Sequence, residues 1–175
     1  MAKNSTRARL LASARELVMA GGGRMPSAGA VASRAGVSRL TVYHHFGSHA
    51  GLLIALAESA RPEAVPETSG DPTQRLRATI EAACTRWAMD AGLFRRLPVA
   101  AAGEASLARE LALALAEADQ LRPGCSLKEA EDVIALVTSF AAFDRLHQEG
   151  RRSPPAVAEI LVRMASAILA PPSYP

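Results

Sequence analysis

Three residues spaced four and then six apart, Ala32, Gly36 and Val42, constrain this chain more than any other feature of it. Two helices that cross steeply need a small residue where the first meets the second. They need a turn residue that tolerates an unusual φ, and an apolar anchor on the second helix. Ala32, Gly36 and Val42 supply these in order, and Ser38 stands where the second helix needs an N-cap. The segment 27–53, SAGAVASRAGVSRLTVYHHFGSHAGLL, therefore reads as a helix-turn-helix that runs directly into a further helix. Ser27 caps a helix over about 27–35 that buries Val31 and Ala35. The next helix, about 38–46, turns Val42 and Phe46 inward and ends at Gly47. Ser48 then caps a helix that buries Leu52, Leu53 and Leu56.

The flanking sequence is helical too. Aromatic residues make up only 4% of the 175, Ala and Leu dominate, and runs of period two are few, which favours helix over strand. Leu10, Ala14, Leu17 and Val18 recur on one face of a helix over 6–20, stopped by Gly21, Gly22 and Gly23. Residues 61–72, with three prolines and a glycine, read as a linker, so the chain divides into a head over 1–60 and a body over 61–175. In the body, a helix from about Pro72 carries Leu76, Ile80, Ala83, Cys84 and Trp87. Gly92 and Pro98 bracket a short piece, and residues 104–121 keep Leu107, Leu111 and Leu115 in register. Ser126 and Glu129 form a capping box that opens a helix to about Glu149, with Val133, Ile134, Val137, Phe140, Ala141 and Phe143 inward. Ser153-Pro154-Pro155 opens the last helix, to about residue 170, carrying Val157, Ile160, Leu161, Met164, Ile168 and Leu169.

Charge separates the two parts. Residues 1–60 hold seven Lys/Arg against two acids, a balance of +5; the remainder holds thirteen against fifteen, −2, giving the chain its +3. A basic head on a slightly acidic body suits a head that touches phosphates. The stretch 10–20 contains Arg15 and Glu16 and is no signal-peptide core, and no run approaches the ~20 apolar residues of a membrane span. Cys84 and Cys125 make no disulfide framework in a chain this long and read as small core residues, which points to the cytoplasm. No glycine-rich loop follows a strand, no Cys/His ligand set is present and no nucleophile elbow occurs, so the reading is not an enzyme and carries no cofactor. His45 and His49 lie four apart, but Gly47 and Ser48 interrupt the helix between them and no carboxylate or thiol completes a metal site.

The run of a capped helix, then AGVS (35–38), TVYHHF (41–46) and GSHAGLL (47–53), resembles the TetR family of bacterial transcriptional regulators. With the flanking helices the resemblance covers about a third of the chain; the body agrees only in the number and order of its helices. It implies an all-α protein of about nine helices: a three-helix DNA-binding head with a fourth, connecting helix, and a C-terminal helical bundle for regulation and dimerisation. It also implies a homodimer formed by the helices at about 126–149 and 154–170, and a small-molecule effector whose binding releases DNA. The small residues Ala135, Ser139, Ala142, Ala158, Ala165 and Ala167 would allow close approach across that interface. The sequence departs from the family at two places. The Lys that follows the cap of the fourth helix and contacts phosphate is here His49, which brings less charge, and the loop 21–26 lacks the usual aromatic.

A recognition helix lies in the major groove of double-stranded DNA with its N-terminal residues toward the bases. With Val42 and Phe46 inward, Arg39, Leu40, Thr41, Tyr43 and His44 face out. Arg39 is the candidate for a guanine, Leu40 and Thr41 for thymine methyls. Tyr43 and His44 match the family's base- and phosphate-contacting positions. Ser27 and Ser38 offer a hydroxyl and helix N-terminal N–H groups to phosphate, although Ser38 fits equally well as a cap alone, and His45 as a structural neighbour of Phe46. In the body, Trp87, Met89, Phe94, Phe140, Phe143, Asp144 and His147 are candidates to line an apolar effector pocket with a few polar orienters. The same aromatics also fit as plain core, with Asp144 paired to a nearby arginine. The competing function is a helical interaction protein that keeps this fold without binding a specific operator.

Overall fold

The computed structural model describes residues 2–21, 25–60, 70–97 and 102–170, with side chains from residue 5 in the first of these segments and from 106 in the last. Among them it has ten α-helices and no strand: α1 (Ala2–Ala20), α2 (Ala28–Arg34), α3 (Arg39–Phe46), α4 (His49–Ser59), α5 (Pro72–Met89), α6 (Ala91–Phe94), α7 (Ala102–Glu117), α8 (Leu127–Val137), α9 (Phe140–Asp144) and α10 (Pro154–Ala165). A single π turn, Arg145–Glu149, follows α9, and a 3-10 turn, Ser166–Ile168, follows α10. The linker read at 61–72 lies outside the described residues up to position 69, as do Gly22, Gly23 and the last five residues.

The chain forms two compact units. The first holds α1–α4 together with the segment from Asp90 through α6. Val18, Ala14 and Leu10 of α1, Val31 and Ala32 of α2, Val42 of α3, and Leu52 and Leu56 of α4 are buried together, each at most 3% exposed. Leu93 and Leu97 complete this core, and Arg15 of α1 pairs with Asp90 at 2.6 Å. The sequence reading leaves residues 90–97 in the body; the structure packs them with α1, because Leu93 and Leu97 find an apolar surface there that their own short helix cannot supply.

The second unit holds α5 and everything from α7 onward. Leu76, Thr79, Ile80, Ala83, Cys84 and Trp87 form the buried stripe of α5 at spacings of three and four, as amphipathic periodicity requires. Leu111 and Leu115 of α7 are buried, whereas Leu107 is 37% exposed. The N-terminus of α5 is clasped to the end of the α7 segment. The Gln120 amide donates to Asp71 at 2.7 Å and accepts from the Thr73 hydroxyl at 2.9 Å. The Gln120 carbonyl also accepts from the Ala170 N–H at 2.8 Å.

The helix read from Ser126 to Glu149 is not continuous. Ser126 caps it as expected, accepting from the Glu129 N–H at 3.1 Å, but α8 ends at Val137. The Thr138 hydroxyl donates to the Ile134 carbonyl at 2.8 Å and the Ser139 hydroxyl to the Leu136 carbonyl at 2.8 Å. Ser139 then restarts the chain as the N-cap of α9, accepting from the Ala142 N–H at 3.2 Å. Two adjacent hydroxyls compete with the backbone for its own partners, and the Thr138 carbonyl left over accepts from the Trp87 indole N–H at 3.2 Å. One consequence is that Ala141, read as inward, is exposed.

This bond joins residues 51 apart in the interior of the second unit. Replacing Trp87 by Phe keeps most of the ring volume and removes the indole N–H that bonds the Thr138 carbonyl. A buried carbonyl left unpaired costs about 1–3 kcal/mol. Urea denaturation of Trp87→Phe is expected to show a loss of that size with an unchanged m-value; a loss below about 0.5 kcal/mol would show that the carbonyl finds another partner.

Candidate nucleic-acid interface

The presentation of α3 begins in the backbone of the turn before it. The Val37 N–H donates to the Ala32 carbonyl at 3.0 Å and the Gly36 N–H to the Ser33 carbonyl at 3.2 Å. These two bonds close α2 with the double reversal that requires a left-handed residue between them. Gly36 occupies that position at φ +66°. Ser38 opens α3 and accepts from the Thr41 N–H at 3.2 Å. Val42, wholly buried, fixes the helix's rotation.

At its other end α3 is closed by Gly47, and Ser48 caps α4 by accepting from the Gly51 N–H at 2.9 Å. Gly51 lies against the last carbonyl of α3. A methyl group at residue 51 would sit 2.1 Å from the Phe46 oxygen, a separation that only a backbone shift can relieve.

The outward face is then set by the helical period. Leu40 is 76% exposed on a helix of eight residues. Arg39 and His44 are exposed, Thr41 and Tyr43 half-buried. Arg39 and Tyr43, one turn apart, act as a pair: Nε and Nη2 of Arg39 donate to the Tyr43 phenolic oxygen at 3.2 and 2.8 Å. The guanidinium carbon lies 5.4 Å from the ring centre. The Tyr43 ring itself rests on the core of the unit, so the arginine fork is held by a side chain that is itself held. The hydroxyls of Ser38 and Thr41 lie 2.9 Å apart and bond each other. Ser27 is exposed and caps α2 through the Ala30 N–H at 3.2 Å. The sequence separates Arg39 and Tyr43 into two roles; their i,i+4 spacing was the available signal for their coupling.

His49 is placed differently from the expectation of a free phosphate ligand. Its Nε2 lies 2.8 Å from the Pro26 carbonyl. A carbonyl oxygen only accepts, so Nε2 carries the proton and donates. The neutral ring then has no second N–H to offer an anion. Here the residue ties the start of α4 to the entrance of α2. Charge on the head is also partly cancelled: Arg34 pairs with Glu16 at 2.6 Å and Arg15 with Asp90. The Lys3 and Arg24 side chains lie outside the described residues.

In the second unit, four of the candidate effector residues meet in a row. Trp87 and Phe140 pack edge to face with ring centres 5.4 Å apart. Phe140 and Phe143 follow at 6.4 Å, and Phe143 and His147 stack at 5.0 Å. His147 Nδ1 donates to the Arg152 carbonyl at 2.6 Å. Asp144 is half-buried nearby in sequence. Met89 does not join them, being 79% exposed at the end of α5, and Phe94 belongs to the other unit. An open cleft of about 280 Å³ lies elsewhere, between Arg77, Glu81 and Thr85 of α5 and Pro154, Pro155, Ala158 and Glu159 of α10. Cys84 is buried in the α5 stripe, and burial pushes its thiol up to about 11, so it stays protonated at neutral pH.

A three-helix core that turns an eight-residue helix outward, with an arginine, a leucine and a histidine on its free face, defines a helix-turn-helix DNA-binding regulator. Residues 10–56 match the sequence model of the bacterial regulatory proteins of the tetR family. That match takes in α2, α3 and parts of α1 and α4, and leaves the second unit outside it. NalD of Pseudomonas aeruginosa, the secondary repressor of the MexAB-OprM multidrug efflux pump, is 24% identical; the match covers 97% of this chain and 98% of that one at a TM-score of 0.71. A structure solved for the molecular basis of control of antibiotic production by bacterial hormones is 25% identical, with 95% and 98% covered and a TM-score of 0.64. A TetR-family transcriptional regulator from Agrobacterium tumefaciens is 18% identical, with 96% and 100% covered and a TM-score of 0.61. No curated protein matches the sequence. No helix among the described residues is long and apolar enough to cross a membrane.

The bond from His49 gives this placement a direct check. His49→Ala removes a part-buried hydrogen bond across 23 residues and is expected to cost about 1 kcal/mol in chemical denaturation. An unchanged midpoint would return His49 to the role of a surface residue.

Proposed function

We propose that the protein is a cytoplasmic repressor whose head, residues 1–60, reads a pseudo-palindromic operator and whose body, residues 61–175, dimerises and takes up a small-molecule effector. The observation that carries the reading is the exposed face of α3. Arg39, Leu40 and His44 stand outward on a helix whose remaining side is locked by Val42, the presentation a helix needs to enter the major groove.

In this reading Arg39 reads a guanine edge and Leu40 and Thr41 meet thymine methyls. Tyr43, His44, Ser27 and Ser38 lie along the flanking phosphates. Ser27 and Ser38 act through hydroxyl protons and helix N–H groups, since their oxygens already accept from the backbone. Arg39→Ala is expected to relax base preference at one position of each half-site and to weaken binding to a selected duplex by about 1–3 kcal/mol. Selection of duplexes from a random pool provides the measurement. Enrichment of two half-sites with centres about 34–36 Å apart supports the reading. A pool that stays random for the wild type favours the interaction protein without an operator.

The dimer is assigned to α8, α9 and α10. Leu136 and Met164 are 54% and 46% exposed on α8 and α10, and Ala167 is exposed beyond them. Ala158 and Ala165, counted among the small residues of the interface, are instead buried inside the protomer at 5% and 2%. The contact therefore rests on the large apolar side chains rather than on a stripe of alanines. Leu136→Glu combined with Met164→Glu is expected to yield a folded monomer in sedimentation at micromolar concentration. A dimer that survives both changes would place the interface elsewhere.

The effector is an apolar molecule taken up beside Trp87, Phe140, Phe143, Asp144 and His147, releasing the operator. The row of aromatic rings supports this location, and NalD, a repressor of a multidrug efflux pump, shows the fold in such a regulator.

A further inference from the structure

We propose that Arg7 is a second phosphate anchor, set at the C-terminal end of the recognition helix and aimed by the ring of Phe46. The inference rests on the DNA-binding reading above and adds a contact from α1. The buried stripe of α1 runs through Val18, Ala14 and Leu10. One turn further out, three residues before Leu10, the same face carries Arg7. An apolar side chain there would extend the core over Phe46, which is only half-buried. The sequence places a guanidinium instead, with its carbon 5.4 Å from the Phe46 ring centre.

Arg7 is exposed and makes no ion pair among the described residues. Two other arginines of the head, Arg15 and Arg34, are taken up by Asp90 and Glu16. Stacking on a ring face orients a guanidinium while leaving its N–H groups in the plane unspent, which is the geometry a phosphate oxygen requires. Position adds to this. Arg39 starts α3 and Phe46 ends it, eight residues in all, so the two ends are about 12 Å apart at 1.5 Å per residue. The helix thus presents Arg39, held by Tyr43, to the bases at one end and Arg7, held by Phe46, beside the other, where the strand backbone flanks the groove.

A structural role competes with this one. An arginine stem can cover Phe46, and a cation near a helix C-terminus is favourable in itself. Arg7→Met keeps the stem and removes the charge, whereas Arg7→Lys keeps the charge. Binding to a random-sequence duplex of about 30 base pairs is followed by fluorescence anisotropy from about 50 to 200 mM salt, together with thermal unfolding of each variant. The expected result is a fall in the logarithmic salt slope of about 0.9 per subunit for Arg7→Met. Arg7→Lys should keep most of the slope, and the base preference found by duplex selection should be the same in both. A wild-type slope retained in Arg7→Met would overturn the proposal while leaving the DNA-binding reading intact, and a lowered melting temperature with that same slope would assign Arg7 to packing alone. If the wild type itself shows no salt-dependent binding, both fall together.

Discussion

The left-handed turn at Gly36 is the constraint on which the rest of the head depends. Two backbone hydrogen bonds, from Val37 to Ala32 and from Gly36 to Ser33, fix where α2 stops and in which direction the chain leaves it. A residue with a Cβ at φ +66° loses about 1–2 kcal/mol in that conformation, so the turn and the glycine specify each other. Burial of Val42 then removes the remaining freedom, rotation of α3 about its own axis, with the ~1.5–3 kcal/mol that full burial of such a side chain contributes. At the far end Gly51 permits α4 to lie directly against the Phe46 carbonyl. Both ends of the recognition helix are thus held by the backbone, and its outer side chains are free to be chosen for what they touch rather than for what they hold.

That freedom is visible in the charges. Surface ion pairs contribute little to stability, about 0–1 kcal/mol each, so the pairs Arg15–Asp90 and Arg34–Glu16 matter more for what they remove from the field of the head. Taken with His49, whose N–H is spent on Pro26, they leave Arg7, beside Phe46, and Arg39, beside Tyr43, among the head's cations that make no ion pair with a described residue. A uniformly basic surface binds any duplex. Under the proposed reading, cations set at defined places on the head make the position of α3 in the groove decide which phosphates are met.

Local chemistry carried most of this fold in legible form. The caps at Ser27, Ser38, Ser48 and Ser126 are all where the sequence reading puts them, because a cap is decided within four residues. The buried face of α5 follows from a 3.6-residue period and nothing more distant. What escaped is what two remote segments decide together. A Thr-Ser pair in mid-helix is tolerable or breaking according to whether something receives the freed carbonyl, and the receiver, Trp87, is 51 residues away. Leu93 and Leu97 look like body residues by order along the chain and become core of the first unit only because α1 offers the apolar surface. His49 resembles a substituted phosphate ligand until Pro26 is found beside it. Among the contact candidates, Arg39 was readable from its position on α3, but its dependence on Tyr43 required the pair to be seen.

The packing of the row from Trp87 to His147 sets the terms for the effector proposed above. Trp87 and Phe143 are 2% and 0% exposed while Phe140 and His147 are half-buried, so half of the row is packed interior and half reaches the surface. Both of its polar tips are satisfied by backbone carbonyls at breaks in helical order, the Trp87 indole by Thr138 where α8 ends and the His147 ring by Arg152 just past the π turn. Helices interrupted in this way have fewer internal hydrogen bonds to lose when they shift, and π turns recur where helices adjust for function. Under the proposed reading, an apolar effector at Trp87 and Phe143 exchanges ring contacts and moves these breaks rather than filling a waiting void. Its binding energy is then linked to the arrangement of α8, α9 and the turn after them, which is the physical requirement for any ligand that changes what a protein does rather than merely occupying it.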